Sequence, residues 1–453
     1  MKETAYKKYL IAILLVIQAF NYMDGMVLGL VLQNIKADLH LSDTQLGFLS
    51  GIAFALFYSI MGIPIARWAD RGNRVTIISL TAAMWSVMVP LCGLATTFVQ
   101  LVLIRIGVAI GEAGCVPPAH SLIADNFTRA ERPRAVAIYL LGGSFSTLIG
   151  YFLAGWLNEL CGWRLTFVVL GLPGLIPAAL ARFTIKEPRR RVSTAMAGNT
   201  LITANPRKPE TSSPRQPSLR EVCVGLWRNV TFRHLVFCFS VMSFFASGIL
   251  QWQPAFFIRS YGLKTGELGT WFAAIYGLGG IAGTYWGGEL ATRYAANNER
   301  LQLKTMTLIY CLFGFISSLT YLVHNLYLTF ALIGLCVVGV TAAAGPLFAT
   351  IQTLVPPRMR AMSIAIIYLF SNLIGLGLGP LAAGALSDAY RPWAAEESLR
   401  YALLSLSPGY LWGAWHLWRA SRTVTRDIGG AQDDRAANAD DGPLLESVGA
   451  MRA

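Results

Sequence analysis

Apolar runs of about 20 residues recur along the whole length of this chain, and each is long enough to cross a bilayer as a helix. Hydrocarbon offers no partner for backbone N–H and C=O groups, so such runs form helices, whose hydrogen bonds are satisfied within the segment. Only 13% of the 453 residues are charged, against about 25% in soluble domains. The sequence therefore predicts an all-α membrane protein.

The positions of Lys and Arg predict the number of crossings. The apolar runs are at residues 9–32, 44–66, 75–95, 97–123, 135–157, 164–184, 234–258, 266–290, 302–322, 326–350, 361–386 and 399–418. With the N-terminus in the cytoplasm, 30 of the 37 basic residues fall in cytoplasmic segments, six fall in external segments and one, Arg105, lies within a span. One missed span would reverse every segment after it and remove this positive-inside asymmetry. We therefore predict twelve transmembrane helices with both termini in the cytoplasm. The net charge of +13 lies beside the apolar spans, so we interpret it as an anchor to anionic lipid rather than as a site for nucleic acid.

The chain divides into two halves of six spans each. The segment between them is rich in Pro, Ser, Thr and Arg, a composition typical of a flexible linker. The halves look like copies, because "RPRAVAIYLL" is similar to "RMRAMSIAII" and each follows a basic loop. The predicted units are a six-helix bundle over 1–185, a cytoplasmic linker over 186–232, a second six-helix bundle over 233–425 and a disordered cytoplasmic tail over 426–453.

Two charged residues lie inside the fourth span, in "LIRIGVAIGEAGC". Arg105 and Glu112 are seven residues apart, which places them on one helix face, two turns and about 10 Å from each other. Arg105 lies about 12 Å from the outer end of its span, and a charge at that depth costs about 2.5–3.5 kcal/mol unless it faces a cavity or a partner. Asp24 of the first span lies at the same depth, so we predict an Asp24–Arg105 ion pair.

Glu112 lies deeper and has no equally obvious basic partner. A carboxyl group buried without a cation favours its protonated form, which makes Glu112 a candidate for taking up and releasing a proton. The positions that the internal repeat aligns with Asp24, Arg105 and Glu112 are uncharged: Ala246, Ala331 and Val338. Charges confined to one half favour a role in substrate binding or coupling over a role in holding the bundles together.

The loop "ARWADRGNR" (66–74) resembles the G-x-L-A-D-R-x-G-R pattern of the major facilitator superfamily. The resemblance covers residues 1–425 and implies two six-helix bundles around a central cavity. In that family the acidic residue of the pattern caps a helix of the opposite bundle while the cytoplasmic side is closed. The resemblance therefore implies a gating role for Asp70, with Arg71 and Arg74 beside it.

Three further stretches resemble the Spinster branch of this superfamily, bacterial members especially: "NYMDGMVLG" in the first span, "RIGVAIGEAGC" in the fourth and "WQPAFF" in the seventh. Members of that branch are associated with moving lysolipids and sphingoid lipids, so the resemblance implies an amphipathic, lipid-like substrate. By position, Asp24, Arg105 and Glu112 match the branch's charged cluster, implicated in substrate binding and in proton coupling. Further candidates for the cavity lining are Asn21, Tyr22, Gln251, Trp252 and Asn372.

Other functions are weaker alternatives. Anion–cation symporters of the same superfamily also carry a G-E-A-G run, so an organic-anion symporter is the runner-up. The chain has no Gly-Lys dipeptide and hence no P-loop for ATP, and it lacks the H-E-x-x-H and G-x-S-x-G motifs of hydrolases. A membrane-embedded enzyme or a channel is therefore disfavoured, and we expect no metal and no cofactor. The prediction is a monomeric, proton-coupled secondary active transporter in which two bundles rock against each other, in the cytoplasmic (inner) membrane of a bacterium.

Overall fold

The structure is a computed structural model that describes residues 3–128, 131–187, 219–295, 298–355 and 359–440. All regular structure in these ranges is helical, and the predicted class of all-α membrane protein is confirmed. We number the crossing segments α1 to α12 in chain order. The side of the molecule that carries residue 3 is called the near side. The opposite side, which carries the loops at 40–42 and 262–264, is called the far side.

The first half contains six crossings, some of them built from more than one helical piece. They are α1 (Glu3–Leu39), α2 (Asp43–Ser50 and Ile52–Arg71), α3 (Arg74–Cys92), α4 (Phe98–Glu112 and Val116–Asn126), and α5 with α6, which share Arg132–Gly171 and continue through Leu172–Gly174 and Leu175–Thr184. Gly162 separates α5 from α6, because its φ of 77° is left-handed and is accessible to Gly at little cost.

The second half repeats this arrangement. Its crossings are α7 (Val230–Tyr261), α8 (Thr265–Phe272, Ala273–Leu278 and Gly279–Ala295), α9 (Glu299–Leu322), α10 (Leu326–Leu354), α11 (Arg360–Phe370, Ser371–Leu378 and Gly379–Ala394) and α12 (Ser398–Leu406 and Gly409–Asp440). The middle pieces of α8 and α11 are π-helical. Such turns are rare and occur often at functional sites.

The count of twelve follows from the helix boundaries. Nine stretches of the described residues are long and apolar enough to cross a membrane. Two of these, Arg134–Thr184 and Met362–Gly429, each contain two crossings, and α8 completes the set. The structure is therefore consistent with twelve crossings.

Short polar side chains start equivalent helices in the two halves. The side chain of Asn73 accepts a hydrogen bond from the backbone N–H of Thr76 at the start of α3, and Asn298 does the same at the start of α9. Thr97 and Asn325 cap α4 and α10 in this way. These caps satisfy backbone donors that a helix leaves without a partner in its first turn.

The two halves pack on each other at specific helix pairs. Within the halves, α1 packs along α5 and α7 along α12. Between the halves, α2 contacts α11, α5 contacts α8, and α1 contacts α7. The pieces of α2, α8 and α11 that start or end at the far side carry the first two of these contacts.

Two expectations about the segments outside the bundles need correction. The predicted linker ends in a helix, Leu219–Arg228, and α7 begins directly after it at Val230, while residues 188–218 lie outside the described residues. The tail predicted to be disordered from residue 426 continues α12 as far as Asp440. Residues 426–440 contain four Ala and two Arg, both of which have high helix propensity.

Candidate functional site

Arg105 and Asp24 form an ion pair inside the first bundle. Arg105 lies on the first piece of α4 and Asp24 lies in the middle of α1, and their side chains are buried, with Nη1 of Arg105 against Oδ2 of Asp24. The guanidinium group also lies over the ring of Phe54 of α2, 5.3 Å from its centroid. The structure thus brings together the two residues that helix rise placed at one depth. A charge in such surroundings is tolerated because a partner compensates for its lost hydration.

Glu112 is the last residue of the same helical piece and is 6% exposed. Two glycines seat it against α3, since a Cβ atom at Gly111 would lie 2.8 Å from Trp85 and one at Gly114 would lie 2.3 Å from Thr81. Larger residues there would force α4 away from α3. The G-E-A-G run therefore has a packing role, which places the carboxyl group between helices rather than at the bundle surface.

Several polar atoms around the ion pair have no hydrogen-bond partner among the described residues. They are Nδ2 of Asn21, Oδ1 of Asp24, Nε of Arg105 and Oε1 of Glu112. Buried polar groups are nearly always satisfied in folded proteins, so a cluster of unsatisfied donors and acceptors indicates a place where a polar ligand or water binds.

Exposed tyrosines from both halves lie near this cluster. Tyr22 of α1 is 49% exposed and lies within electrostatic range of Glu112 and of Tyr368, a residue of α11 that is 51% exposed. Tyr58 of α2 lies within electrostatic range of Tyr22 and Glu112. The predicted lining residues Asn21 and Tyr22 thus flank the charges. Tyr58 and Tyr368 were not predicted, because lone tyrosines in apolar spans give no distinguishing signal.

The second bundle encloses an apolar cavity of about 230 Å³. On its wall, Gln253 donates a hydrogen bond from Nε2 to Oη of Tyr321 (3.1 Å) and accepts one at Oε1 from the hydroxyl of Tyr276. The wall is formed by Ala246, Ile249, Leu250, Gln253, Tyr276, Ser317, Thr320, Tyr321, Ile333, Cys336, Val337, Val340, Thr341 and Tyr410. Its hydrogen-bonding groups are uncharged.

The predicted lining residues of α7 and α11 lie elsewhere. Trp252 is fully buried, and its indole N–H donates to the carbonyl oxygen of Pro380 (2.9 Å), so the expectation that it lines the cavity is wrong. Gln251 lies at the contact between α1 and α7, with Nε2 3.4 Å from a Cβ built on Gly29. Successive helical residues point about 100° apart, and Gln253 is the one that faces the cavity. Asn372 is half-buried in the π-helical piece of α11.

The predicted gating residues on the near side have different surroundings. The side chain of Asp70 lies outside the described part of the chain. Arg71 is exposed. Arg74 is fully buried and pairs with Asp125 (2.6 Å) and Glu187. These partners belong to the same half, so the contacts of Arg74 close the near end of one bundle rather than join the two.

A further ion pair joins α1 to the start of α5 at the near end of the first bundle. Nζ of Lys7, on α1, lies 2.9 Å from Oε2 of Glu131, which precedes α5. Hydrogen bonds from Lys7 and from Thr128 lower the pKa of Glu131 to about 2. The near end of this bundle is thus held by charge pairs, whereas its centre holds the unsatisfied cluster.

Sequence and structure comparisons give a consistent picture. The family model described as Major Facilitator Superfamily matches residues 14–380. An MFS-type efflux pump of Mycolicibacterium smegmatis is 30% identical over 423 residues, which are 92% of this chain and 93% of that protein. A probable L-galactonate transporter of Escherichia coli is 26% identical over 388 residues, 85% of this chain and 82% of that protein.

The fold is similar to that of a solved transporter. A crystal structure of a bacterial homologue of the human lysosomal transporter Spinster, inward-facing and unoccupied, superimposes with a TM-score of 0.78 at 28% identity. The match covers 93% of this chain and 98% of that one. The chain is therefore similar to the Spinster branch in sequence and in fold, as its motifs predicted.

Proposed function

We propose a function from one premise: the chain belongs to the major facilitator superfamily, and it is therefore a membrane transporter. The proposal is that it works by alternating access of a central cleft, is driven by protons, and moves an amphipathic molecule with a charged head and an apolar tail, such as a lysolipid. Asp24, Arg105 and Glu112 bind the head and couple it to protons.

One observation carries this proposal: the buried charges Asp24, Arg105 and Glu112 lie in one bundle and the apolar cavity lies in the other. Arg105 and Glu112 are 2% and 6% exposed in the first half. The second half holds about 230 Å³ of space with an uncharged wall. A molecule bound between the halves would place a polar head against Arg105 and an apolar tail toward the second bundle.

The cation is suited to an anionic head group. Arg105 presents planar N–H donors that match phosphate and carboxylate oxygens. Its Nε has no partner among the described residues, so the pair with Asp24 leaves a donor for a ligand. Binding of an anion would weaken the hold of Arg105 on Asp24, so the ion pair can change partners when the head group binds.

Glu112 is the candidate for proton uptake. Its buried Oε1 has no hydrogen-bond donor among the described residues, and Tyr22 and Tyr58 lie within electrostatic range of it. Desolvation disfavours the charged carboxylate, and a cation approaching it favours the charge. Movement of Arg105 between Asp24 and Glu112 would therefore couple protonation to head-group binding.

We propose that the near side is cytoplasmic, with both termini inside, and that the protein resides in the bacterial inner membrane. The distribution of Lys and Arg supports this orientation. The far side is the side on which the halves meet, so the conformation seen here is closed to the exterior. That agrees with the inward-facing state of the similar solved structure.

The experiment is uptake into vesicles of purified, reconstituted protein. Lysophosphatidylethanolamine labelled in its head group is the test molecule, with and without an imposed pH gradient. The Asp24→Asn/Arg105→Met double variant, which removes both charges together, is the folded negative control. We expect uptake at least about tenfold above that control and a further increase with the gradient.

An organic-anion transporter is the second candidate, because the Escherichia coli relative is named a probable L-galactonate transporter. Arg105 would bind a sugar-acid carboxylate equally well. Galactonate is therefore assayed in parallel. Uptake of galactonate without uptake of the lysolipid would contradict the lipid proposal and favour the second candidate.

A further inference from the structure

The far side of the molecule is closed by a contact between the start of α2 and the end of α11. Asp388 of α11 accepts hydrogen bonds from the backbone N–H of Asp43 (3.1 Å) and of Thr44 (2.7 Å), and from the hydroxyl of Thr44 (2.7 Å). These N–H groups belong to the first turn of α2, where a helix leaves donors without partners and carries partial positive charge. A carboxylate of one bundle thus caps a helix of the other.

Glycines bring the two backbones together beside this cap. A Cβ atom at Gly384 of α11 would lie 2.2 Å from the carbonyl oxygen of Asp43. One at Gly47 of α2 would lie 2.4 Å from that of Pro380. Any larger residue at either position would separate the helices, so the close crossing depends on both glycines.

The start of α8 and the end of α5 make the same contact. Glu159 of α5 accepts a hydrogen bond from the backbone N–H of Gly266 (2.9 Å), in the first turn of α8. A Cβ atom at Gly155 would lie 2.4 Å from the carbonyl oxygen of Thr265. One at Gly269 would lie 2.4 Å from that of Tyr151.

The sequence repeats at these positions. "GWLNE" (155–159) aligns with "GALSD" (384–388), so Glu159 aligns with Asp388. "LSDTQLG" (41–47) aligns with "LKTGELG" (263–269). The side chains before the acids correspond as well, since Ser387 donates to Oδ2 of Asp43 (2.7 Å) and Asn158 donates to Oγ1 of Thr265 (3.1 Å). Matching residues make matching contacts, which indicates one device present twice.

We propose that these contacts are two latches that hold the far side shut: Asp388 on the first turn of α2, and Glu159 on the first turn of α8. The latches rest on the proposed alternating access. When the far side opens, each carboxylate separates from the helix start, and water then hydrates the carboxylate and the backbone N–H groups. The two latches share the pseudo-twofold relation of the halves, so rocking the bundles releases them together.

The α2–α11 latch is the stronger of the two. Asp43, beside the cap, forms two hydrogen bonds of 2.7 Å with Arg259 of α7 and one of 2.5 Å with Lys36 of α1. Thr265 occupies the corresponding place in the other latch and carries no charge. Asp388 also accepts three hydrogen bonds from α2, against the one that Glu159 accepts from Gly266.

The test measures the distance between the bundles on each side by double electron–electron resonance. Spin labels replace exposed residues of opposite halves in a background without the seven native cysteines. The far-side pair is Leu94 and Tyr327, and the near-side pair is Phe183 and Tyr294. The variants are Asp388→Ala, Glu159→Ala and both together, without substrate and without a pH gradient.

We expect each variant to raise the ratio of far-side-open to far-side-closed molecules, by about tenfold or more for the loss of a charge-assisted hydrogen bond. The ratio of open to closed molecules should rise more in Asp388→Ala than in Glu159→Ala, and most in the double variant. The near-side distance should shorten as the far-side distance lengthens. Asp38→Ala is the matched control, because Asp38 also lies at the far side but pairs with Arg164 of its own bundle (2.9 Å). It leaves both distances unchanged.

Unchanged distances in the folded double variant, or equal opening in Asp38→Ala, would overturn the latches. If the alanine variants give no monodisperse protein, Asp388→Asn with Glu159→Gln keeps the side-chain volume and loses the charge, and the same direction is expected. Failure of the lipid or proton proposal does not affect this measurement. Opening of the far side with no change at the near side would instead contradict alternating access itself.

Discussion

The two halves of this transporter share a helical framework but carry opposite chemistry at its centre. The first half buries Asp24 against Arg105. In the second half the position aligned with Asp24 is Ala246, which lines the apolar cavity, and the polar groups nearby are the uncharged Gln253, Tyr276 and Tyr321. The caps and the far-side contacts, by contrast, are alike in both halves. The repeated parts therefore build the scaffold, and a few unrepeated side chains make the centres of the two halves chemically different.

The largest effect is expected from Arg105→Ala, which removes the charge that balances Asp24 in the first half. Leaving a buried carboxylate without its partner costs about 3–5 kcal/mol, so the thermal unfolding temperature measured by tryptophan fluorescence falls steeply. Adding Asp24→Asn to this variant restores much of the stability without restoring transport. A single variant as stable as the wild type would mean that the pair contributes nothing to the first bundle.

Glu112→Gln is expected to leave folding intact but to remove the dependence of transport on a pH gradient, because an amide cannot take up the proton. Proton-driven uptake should fall at least about tenfold, measured in reconstituted vesicles at matched protein content. Glu289→Gln, an exposed acid of α8, is the control and keeps the wild-type response. A normal gradient response in Glu112→Gln would remove this residue from the coupling.

Ala246→Phe tests whether the apolar cavity of the second half receives the tail of the substrate. The ring fills part of the apolar cavity of about 230 Å³ and leaves less space for an apolar tail. For lysolipids of increasing chain length, we expect KM to rise most for the longest tails while short tails are little affected. Ala331→Phe places the same ring at an exposed position and is the control. An equal effect on all chain lengths would argue that the cavity does not receive the tail.

The smallest effect is expected from Arg71→Ala. This side chain is exposed on the near side, and surface substitutions change stability by less than about 0.5 kcal/mol. Unfolding temperature and basal uptake are the measurements, taken beside those of Arg105→Ala. Equal losses in the two variants would mean that burial does not distinguish them.

Much of the fold was predictable because the bilayer imposes a simple rule on the sequence. A helix must be about 20 apolar residues long to cross, and basic residues mark its cytoplasmic end, so class and number of crossings follow from counting. The depth of Asp24 and Arg105 follows from the rise per residue in the same way. The capping residues Asn73 and Asn298 are likewise visible in the sequence, since each stands before an apolar run.

Other features depended on which face of each helix meets a neighbour. Trp252 and Gln253 are adjacent in sequence, yet the first packs against α11 and the second faces the cavity. The sequence placed Arg74 on the same side of the molecule as the N-terminus, where the structure has it. It did not predict the partners of Arg74, which come from the end of α4 and from the segment after α6. Such choices are made by packing, on which hydropathy carries no information.

The sequence by itself determined that this protein is a twelve-helix membrane chain whose first half carries Asp24, Arg105 and Glu112 within its spans, at positions that are uncharged in the second half, because length, charge and depth are properties of single segments. Only the tertiary structure decided which surfaces of the halves touch and on which side. Asp388 and the first turn of α2 are more than three hundred residues apart in the chain, and the fold of the two halves brings them into contact. A contact of that kind depends on the relative position of two rigid bundles, which no single segment encodes.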